Sequence, residues 1–330
     1  MKKNILFIVD DLELKYFEFN DLVTDFWFIK EFLKRDYSVS VSIKSDLFIE
    51  NSKGCVYSRN TFIKNEDIVY EKEEKKSLIN DFDVVFFRPD PPVDISYIDA
   101  CYVFDYVDRE KTLLINDPKA VKDFNEKFHI NYFPEFIPEN IVSSSAEMIL
   151  EFIERNKEAI LKPLNRCFGS GVYYMNSEDK NLLTIINNMT EDGKNPVMVQ
   201  KYLPEAKFGD KRVLIMGYKV MDECIQKLPG DHNFKFSIHS DKYFKGVTLT
   251  QNEKKMAEKI AHVLSQKGLY LVGLDVISEK VIEINVTSPC YFIREINQHY
   301  GIHFEDKIME NLEEIIENHF SKEGTYACIK

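Results

Sequence analysis

Long apolar runs are missing from this 330-residue chain. No stretch of about 18 consecutive hydrophobic residues occurs, which excludes a membrane-spanning helix. Cysteines are few and isolated: positions 55, 101, 167, 224, 290 and 328 form no C-x-x-C pair. Neither a zinc pattern nor a disulfide framework is encoded, and these residues read as small core side chains. There is no basic excess. Lys and Arg number 43 against 55 Asp and Glu, a net charge of −12, which argues against non-specific nucleic-acid binding and against an anionic membrane surface. A local basic pocket for phosphates remains open. The chain has no G-x-G-x-x-G, no G-x(4)-G-K-[ST], no internal repeat and no low-complexity tract beyond the charged run Glu71–Lys76, which reads as a solvated loop or helix end. The start, Met1-Lys2-Lys3-Asn4 before Ile5–Val9, looks superficially like a signal peptide. Its short apolar stretch meets Asp10-Asp11 without a small-residue cleavage site, so it reads as a first β-strand and the cytoplasm is the expected compartment.

What is present fits a soluble globular protein of two or three domains, with 44% hydrophobic and 30% charged residues. Strand patterns at Ile5–Val9, Val39–Ile43, Val84–Phe87 and Leu113–Ile115, with a helical stretch around Leu22–Lys34, predict a βαβ domain over residues 1–120 with a parallel sheet. Arg88-Pro-Asp-Pro-Pro92 follows a strand directly, at a carboxyl end where open α/β sheets bind ligands. A second unit, 121–198, opens with a helix over Ala120–His129. It continues with Glu139–Val142, a serine capping signal at 143–145, a strand at Ala159–Lys162 and another at Tyr173–Met175. A third unit, 199–330, begins near Val197–Gln200.

Two short β-rich runs, Leu274–Ile277 and Val281–Val286, flank Ser278-Glu279-Lys280 and read as a hairpin. A turn centred on Glu279 sets Asp275 opposite Glu283 on one face, with Asn285 joining them two residues along. An even-length turn sends the two acids to opposite faces. Facing acids repel, and a hard divalent cation relieves that repulsion; three oxygen-bearing side chains suit magnesium. The competing reading is a solvent-facing edge with two ordinary surface acids. Lys162 ends a strand and precedes a loop in which Gly169 and Gly171 permit positive φ, so that exposed amides can face an anion. The competing reading there is an ordinary β-turn with a snorkelling lysine. Lys127 and Arg212 add cations. With a metal hairpin they make a nucleotide triphosphate site.

These residues carry a resemblance over nearly the full length. Arg88-x-Asp90-Pro-Pro-x-Asp94, Asn125-Glu-Lys127, Ile160-Leu-Lys-Pro-Leu164 and Gln200-x-Tyr-Leu-Pro204 belong to it. So do Gly209-Asp-Lys-Arg-Val-Leu214, Gly273-Leu-Asp275, Glu283-Ile-Asn-Val-Thr-Ser-Pro289 and Ile293-Arg-Glu295. The chain resembles the bacterial glutathione synthetases of the ATP-grasp superfamily. The resemblance implies an α/β and α+β architecture: an N-terminal βαβ domain on the substrate side, a small lid domain and a C-terminal mixed-sheet domain with the ATP and metal site. It implies a ligase that phosphorylates the carboxylate of γ-glutamylcysteine with ATP and lets glycine attack the acyl phosphate. By motif match, Lys127 and Lys162 hold phosphates while Gly169, Ser170 and Gly171 close over them. Gln200, Tyr202 and Leu203 line the adenine, and Asp210 lies near the ribose. Asp275, Glu283 and Asn285 bind Mg²⁺, with Mn²⁺ as a substitute, and Arg212, Asn285 and Ser288 face the acyl phosphate or the peptide. A homo-oligomer is implied, with neither nucleic acid nor membrane as a partner.

Three segments depart from the family pattern. In the 228–246 loop Lys235 stands at an arginine position, where it is expected to meet a substrate anion, and Phe236 and Ser237 replace Gly-Asn. Lys227 stands where another arginine is expected. Asn165-Arg-Cys-Phe replaces a glycine-richer stretch, and Val23-Thr24-Asp25 replaces Asp-Ser-Ser. Lysine keeps the charge but loses bidentate carboxylate recognition. A sibling ligase with another acid or amine, and a non-catalytic nucleotide-binding relative, are the alternatives.

Overall fold

The computed structural model of the chain describes residues 2–166, 169–229 and 243–321. Three sheets follow one another along it. The first contains β1 (Asn4–Val9), β2 (Ser38–Ile43), β3 (Leu47–Glu50), β4 (Lys53–Lys64), β5 (Asp67–Tyr70), β6 (Lys75–Leu78), β7 (Val84–Phe87) and β8 (Leu113–Ile115), in the order β3-β4-β2-β1-β7-β8 with β5 and β6 paired to β4. Strands β2, β1, β7 and β8 run parallel. Ile5–Val9 and Val84–Phe87 are buried on both faces, as continuous apolar strands in a covered parallel sheet must be.

An all-parallel sheet is not what forms. Residues 47–78 add antiparallel strands, with β4 pairing β2, β3, β5 and β6. The polar, interrupted sequence of β4 hides its strand character, because one face stays in solvent. The Glu71–Lys76 run is exposed throughout, and its last two residues open β6.

Alternation along β1 divides the core. Ile5, Phe7 and Val9 pack with Phe26, Ile29 and Phe32 of α2 (Thr24–Lys34), the second helix after the short α1 (Asp11–Lys15). Leu6 and Ile8 join Tyr97, Ala100 and Val103 of α3 (Ile95–Val103). The continuous helix expected over Ala120–His129 is replaced by α4 (Pro118–Lys122) and a 3₁₀ turn at Phe128–Tyr132. The reason is local: Asn125 Oδ1 accepts from the backbone N–H of Lys127 (3.1 Å) and of Phe128 (2.9 Å), which competes with helical bonding.

The second sheet is antiparallel, with the order β11-β10-β12-β9. Its strands are β9 (Asn140–Ser143), β10 (Glu158–Pro163), β11 (Tyr173–Asn176) and β12 (Val197–Lys201). Ala159, Leu161, Val197 and Val199 form one face and pack on α5 (Ala146–Asn156) and α6 (Leu182–Thr190) in a separate small core. The opposite face carries Lys162 and Gln200, through the register Lys162↔Met198 and Ile160↔Gln200.

The third sheet, in the order β16-β15-β13-β17-β18 with β14 on β13, is built from β13 (Asp210–Met216), β14 (Lys219–Val220), β15 (Cys224–Lys227), β16 (Phe244–Val247), β17 (Leu271–Ile277) and β18 (Lys280–Asn285). Helices α7 (Gln251–Ser265), α8 (Ile293–Tyr300) and α9 (Phe304–Phe320) complete it. Thr250 and Glu253 start α7 with reciprocal caps. Both large cores run across the first and third sheets. Asn116, after β8, stitches them together: its Nδ2 donates to Leu271 O (2.8 Å) and Val286 O (2.7 Å), and its Oδ1 accepts from the amides of Tyr270 and Leu271. Cys55, Cys101 and Cys224 are buried and unpaired. Among the described residues no helix is long and apolar enough to cross a membrane.

Candidate functional site

The β17–β18 hairpin turns on two residues, Ser278 (φ 50°) and Glu279 (φ 61°), both left-handed as a tight hairpin turn requires. A turn of that even length would by itself pair Asp275 with Ile282. The register instead runs Ile277↔Lys280, Val276↔Val281, then Asp275↔Glu283 and Gly273↔Asn285, with a bulge after Asp275. The extra residue, Ile282, shifts the ladder by one and brings Asp275 opposite Glu283. The turn centred on Glu279 is thus corrected, and the bulge supplies the pairing by another route.

Cations surround this pair. Arg212 lies directly across from Asp275 on β13 and holds it with two bonds, Nε to Oδ1 at 2.8 Å and Nη2 to Oδ2 at 3.2 Å. Lys227, opposite Asp210 at the end of β15, places its Nζ 2.9 Å from Asp275 Oδ1 and 2.7 Å from Asp210 Oδ2. Asn285 donates to Asp275 Oδ2 (3.2 Å) and Gly273 O (3.1 Å). Burial alone would raise the Asp275 carboxyl, but Arg212 and Lys227 outweigh it and hold the group well below the usual carboxylate range. Asp210 goes the other way: burial pushes it up to about 6 against the opposing pull of Lys227. Lys127 Nζ sits 2.7 Å from Glu283 Oε1 and donates to Arg166 O at 2.8 Å. Lys162, from the second sheet, donates to the carbonyl of Ile282 at 3.3 Å, and burial brings its ammonium down to about 8.

Lys127, Lys162, Arg212, Asp275, Glu283 and Asn285 are therefore drawn together from the second and third parts of the chain. Gln200 is buried on the same face of its sheet as Lys162, and its Nε2 has no hydrogen-bond partner among the described residues. Tyr202 and Leu203 follow it, half-buried, with Tyr202 edge-on to Tyr174. Gly169 (φ 65°) and Gly171 (φ 75°) adopt the left-handed conformation expected of them, beside exposed Ser170. Asp210 is turned inward onto Lys227 rather than outward. Ser288 donates its hydroxyl to Asp90 Oδ1. Lys235 lies outside the described residues.

Two residues were given no role by sequence reasoning. Lys227 registered only as a substituted arginine. Glu126, inside Asn125-Glu-Lys127, accepts at Oε1 from the amides of Val286 (2.8 Å) and Thr287 (3.0 Å) and from the Thr287 hydroxyl (3.0 Å). It pins the chain that leaves β18, while its backbone carbonyl receives the Ile284 amide. The motif spacing was the available signal, since Glu126 sits beside Lys127 and Thr287 lies two residues past Asn285.

Among the described residues no group of three His, Cys, Asp or Glu side chains is arranged to hold a metal. The set Asp275, Glu283 and Asn285 offers two carboxylates and an amide. Such oxygen donors fit a hard divalent ion in chemistry, and both acids are already neutralised by cations that phosphate oxygens can attract.

Residues 4–122 match the family model of the prokaryotic glutathione synthetase N-terminal domain, and residues 126–301 that of the prokaryotic glutathione synthetase ATP-grasp domain. Glutathione synthetase of Vibrio parahaemolyticus is 32% identical over 292 residues, covering 88% of this chain and 92% of that protein. Glutathione synthetase of a Nostoc species is 38% identical over 237 residues, 72% of each. Among solved structures, a RiPP-associated ATP-grasp ligase of Chryseobacterium gregarium superposes with a TM-score of 0.62 at 15% identity over 96% of both chains, a likeness of fold. The arrangement of three sheets, the paired acids of the hairpin and these matches place the chain in the prokaryotic glutathione synthetase family, as an ATP-dependent ligase of the ATP-grasp fold that forms carbon–nitrogen bonds.

Proposed function

We propose that this chain makes glutathione from γ-glutamylcysteine and glycine at the junction of Lys127, Lys162, Arg212, Lys227 and the Asp275–Glu283 pair. The observation that carries the reading is that each acid of the hairpin is held by cations of the kind that bind phosphate. When ATP enters, Lys127 and Lys162 leave carboxylate and carbonyl for phosphate oxygens. Glu283, released by Lys127, would hold Mg²⁺, or Mn²⁺ in its place, together with Asp275 and Asn285, and the ion would supply positive charge to offset that of the phosphates.

The amides of Gly169, Ser170 and Gly171 cover the phosphates, and Gln200, with its free Nε2, meets the adenine beside Tyr202 and Leu203. Asp210 acts through Lys227, fixing that ammonium, and not at the ribose. Arg212, Asn285 and Ser288 face the acyl group, and Lys235 the substrate carboxylate. A substrate carboxylate oxygen attacks the γ-phosphorus and the bond to ADP breaks. The neutral amine of glycine then attacks the acyl carbon, phosphate leaves with the electron pair, and the amine gives up a proton. The protein positions anions and offsets their charge, so no nucleophilic side chain is required.

In this reading residues 1–120 serve the substrate, 121–198 form the lid and 199–330 carry nucleotide and metal. The small separate core of the second sheet supports a unit that moves as one body. The chain works in the cytoplasm, where ATP and free thiols coexist, as a homo-oligomer, which sedimentation of the purified chain tests. The decisive assay measures phosphate release and product mass with ATP, Mg²⁺, γ-glutamylcysteine and glycine, beside other dipeptides and amines. Tripeptide formation with that pair is expected. Phosphate release only with a different pair overturns the substrate assignment, and none with any pair overturns catalysis.

A further inference from the structure

The segment Ser288–Cys290 is gripped by two guanidinium groups. Arg212 Nη1 donates to Cys290 O at 3.2 Å, and Arg88 Nη2 donates to Pro289 O at 3.2 Å. Arg212 belongs to the phosphate side of the site, whereas Arg88 opens a second polar cluster. Arg88 directly follows β7 and is 3% exposed; its Nε donates to Asp25 Oδ1, and Asp25 in α2 is 2% exposed. Three more carboxylates act on this group: Glu13 of α1, Asp90, and Asp10 at the start of α1. Asp90 is tied to Ser288, and Thr24, beside Asp25, accepts the Tyr291 amide at 3.0 Å.

One cation thus faces four acids. Burial pushes Glu13, Asp25 and Asp90 all upward; neighbouring carboxylates add to the rise at Glu13 and Asp90, while Arg88 and a hydrogen bond with Glu13 oppose it at Asp25. Arg88 Nη1 and Glu13 Oε2 are buried without a hydrogen-bond partner among the described residues. A guanidinium N–H asks for an oxygen acceptor, and the acids ask for a cation. The orphaned guanidinium N–H beside the acids favours a ligand that carries an anionic group next to its cation, which a bare metal ion does not. A ligand bearing both charges on neighbouring atoms satisfies both demands.

We propose that Glu13, Asp25, Asp90 and Arg88 form the subsite for the free α-amino-acid end of the acid substrate, the ammonium lying among the three carboxylates and the carboxylate on Arg88 Nη1. Glu13 and Asp90 are half-buried, whereas Asp25 and Arg88 are buried. The subsite rests on the reading above that the acid is a γ-glutamyl peptide. It is not a site for glycine: carboxylates that hold an ammonium keep it protonated, and the attacking amine must be neutral. It also gives Asp25 a role at a position where the family pattern has serine.

The test compares γ-glutamylcysteine with its analogue lacking the α-amino group, glutarylcysteine, in the wild type and in Glu13→Gln and Asp90→Asn. Wild type is expected to favour the amino form in kcat/KM by about tenfold or more, the scale of one charge-assisted contact. Each substitution should raise KM for γ-glutamylcysteine by about tenfold while that for glutarylcysteine moves less than twofold. Thermal unfolding of each variant separates loss of fold from loss of recognition, and Glu13→Asp, which keeps the charge, should recover part of the preference. Equal use of the two substrates by wild type, or equal shifts for both in the variants, overturns the subsite while leaving glutathione synthesis standing. Turnover of neither overturns the functional reading and the subsite with it.

Discussion

Lys162 Nζ reaches from the second sheet to the carbonyl of Ile282, 3.3 Å away, and Ile282 is the residue that bulges β18. One irregularity therefore does two things. It brings Glu283 opposite Asp275, and it turns a backbone oxygen toward a buried ammonium that phosphate is expected to claim.

Glu283→Gln tests the metal hairpin. The amide keeps the shape but loses the charge that faces Lys127 at 2.7 Å. Turnover should fall on the order of 10²-fold or more, with a higher Mg²⁺ requirement and near-normal thermal stability. Phosphate release titrated against Mg²⁺ reads it. Near-normal activity with unchanged metal dependence would remove Glu283 from the metal site.

Asp275→Asn should cost stability as well as activity. The carboxylate answers both Arg212 and Lys227 in a buried setting. Removing its charge leaves those cations underpaired, a loss of about 3–5 kcal/mol. Urea unfolding measures it, and a change below about 1 kcal/mol would mean that the cations find other partners.

The ammonium of Lys162 should make nucleotide binding pH-dependent. Its folded pKa of about 8 lies below the ordinary 10.5, through burial first. Between those values the unfolded chain holds a proton that the folded chain has lost, so folding stability rises with pH across that window. ATP binding uses the charged form, so it weakens as pH climbs past about 8, approaching tenfold per unit at the limit. Calorimetric titration with an ATP analogue from pH 7 to 10 should show that fall, reduced in Lys162→Arg. A flat profile would show that the charge on Lys162 is not used.

Gly209 has no room for a methyl group. It sits at φ 93°, and a Cβ would lie 1.9 Å from Lys227 O. Gly209→Ala should displace the Asp210↔Lys227 register and destabilise the chain by at least about 2 kcal/mol. A melting temperature within a degree of wild type would show that the backbone relaxes freely.

Local chemistry made much of this molecule legible. The apolar runs at Val84–Phe87 and Leu113–Ile115 became strands with those bounds, because a covered parallel strand needs little more than length and apolarity. The hairpin was readable from two β-rich runs around a turn, and the oxygen-bearing residues on it from their spacing. What stayed hidden depends on contacts far along the chain. Glu126 bonds residues 160 and more positions away. Lys227 is a surface-type residue until β15 pairs with β13 and buries it against Asp210. The helix after α4 yields to an Asn125 side chain, which no periodicity reports. The bulge at Ile282 decides which face Glu283 occupies, and a side-chain period of two cannot by itself say where one residue is skipped. Sequence alone determined the type of the covered apolar strands and the donor chemistry. Register, burial and the charge surplus around Arg88 were decided only when three sheets packed together, since pairing and desolvation belong to the assembled chain rather than to any one segment.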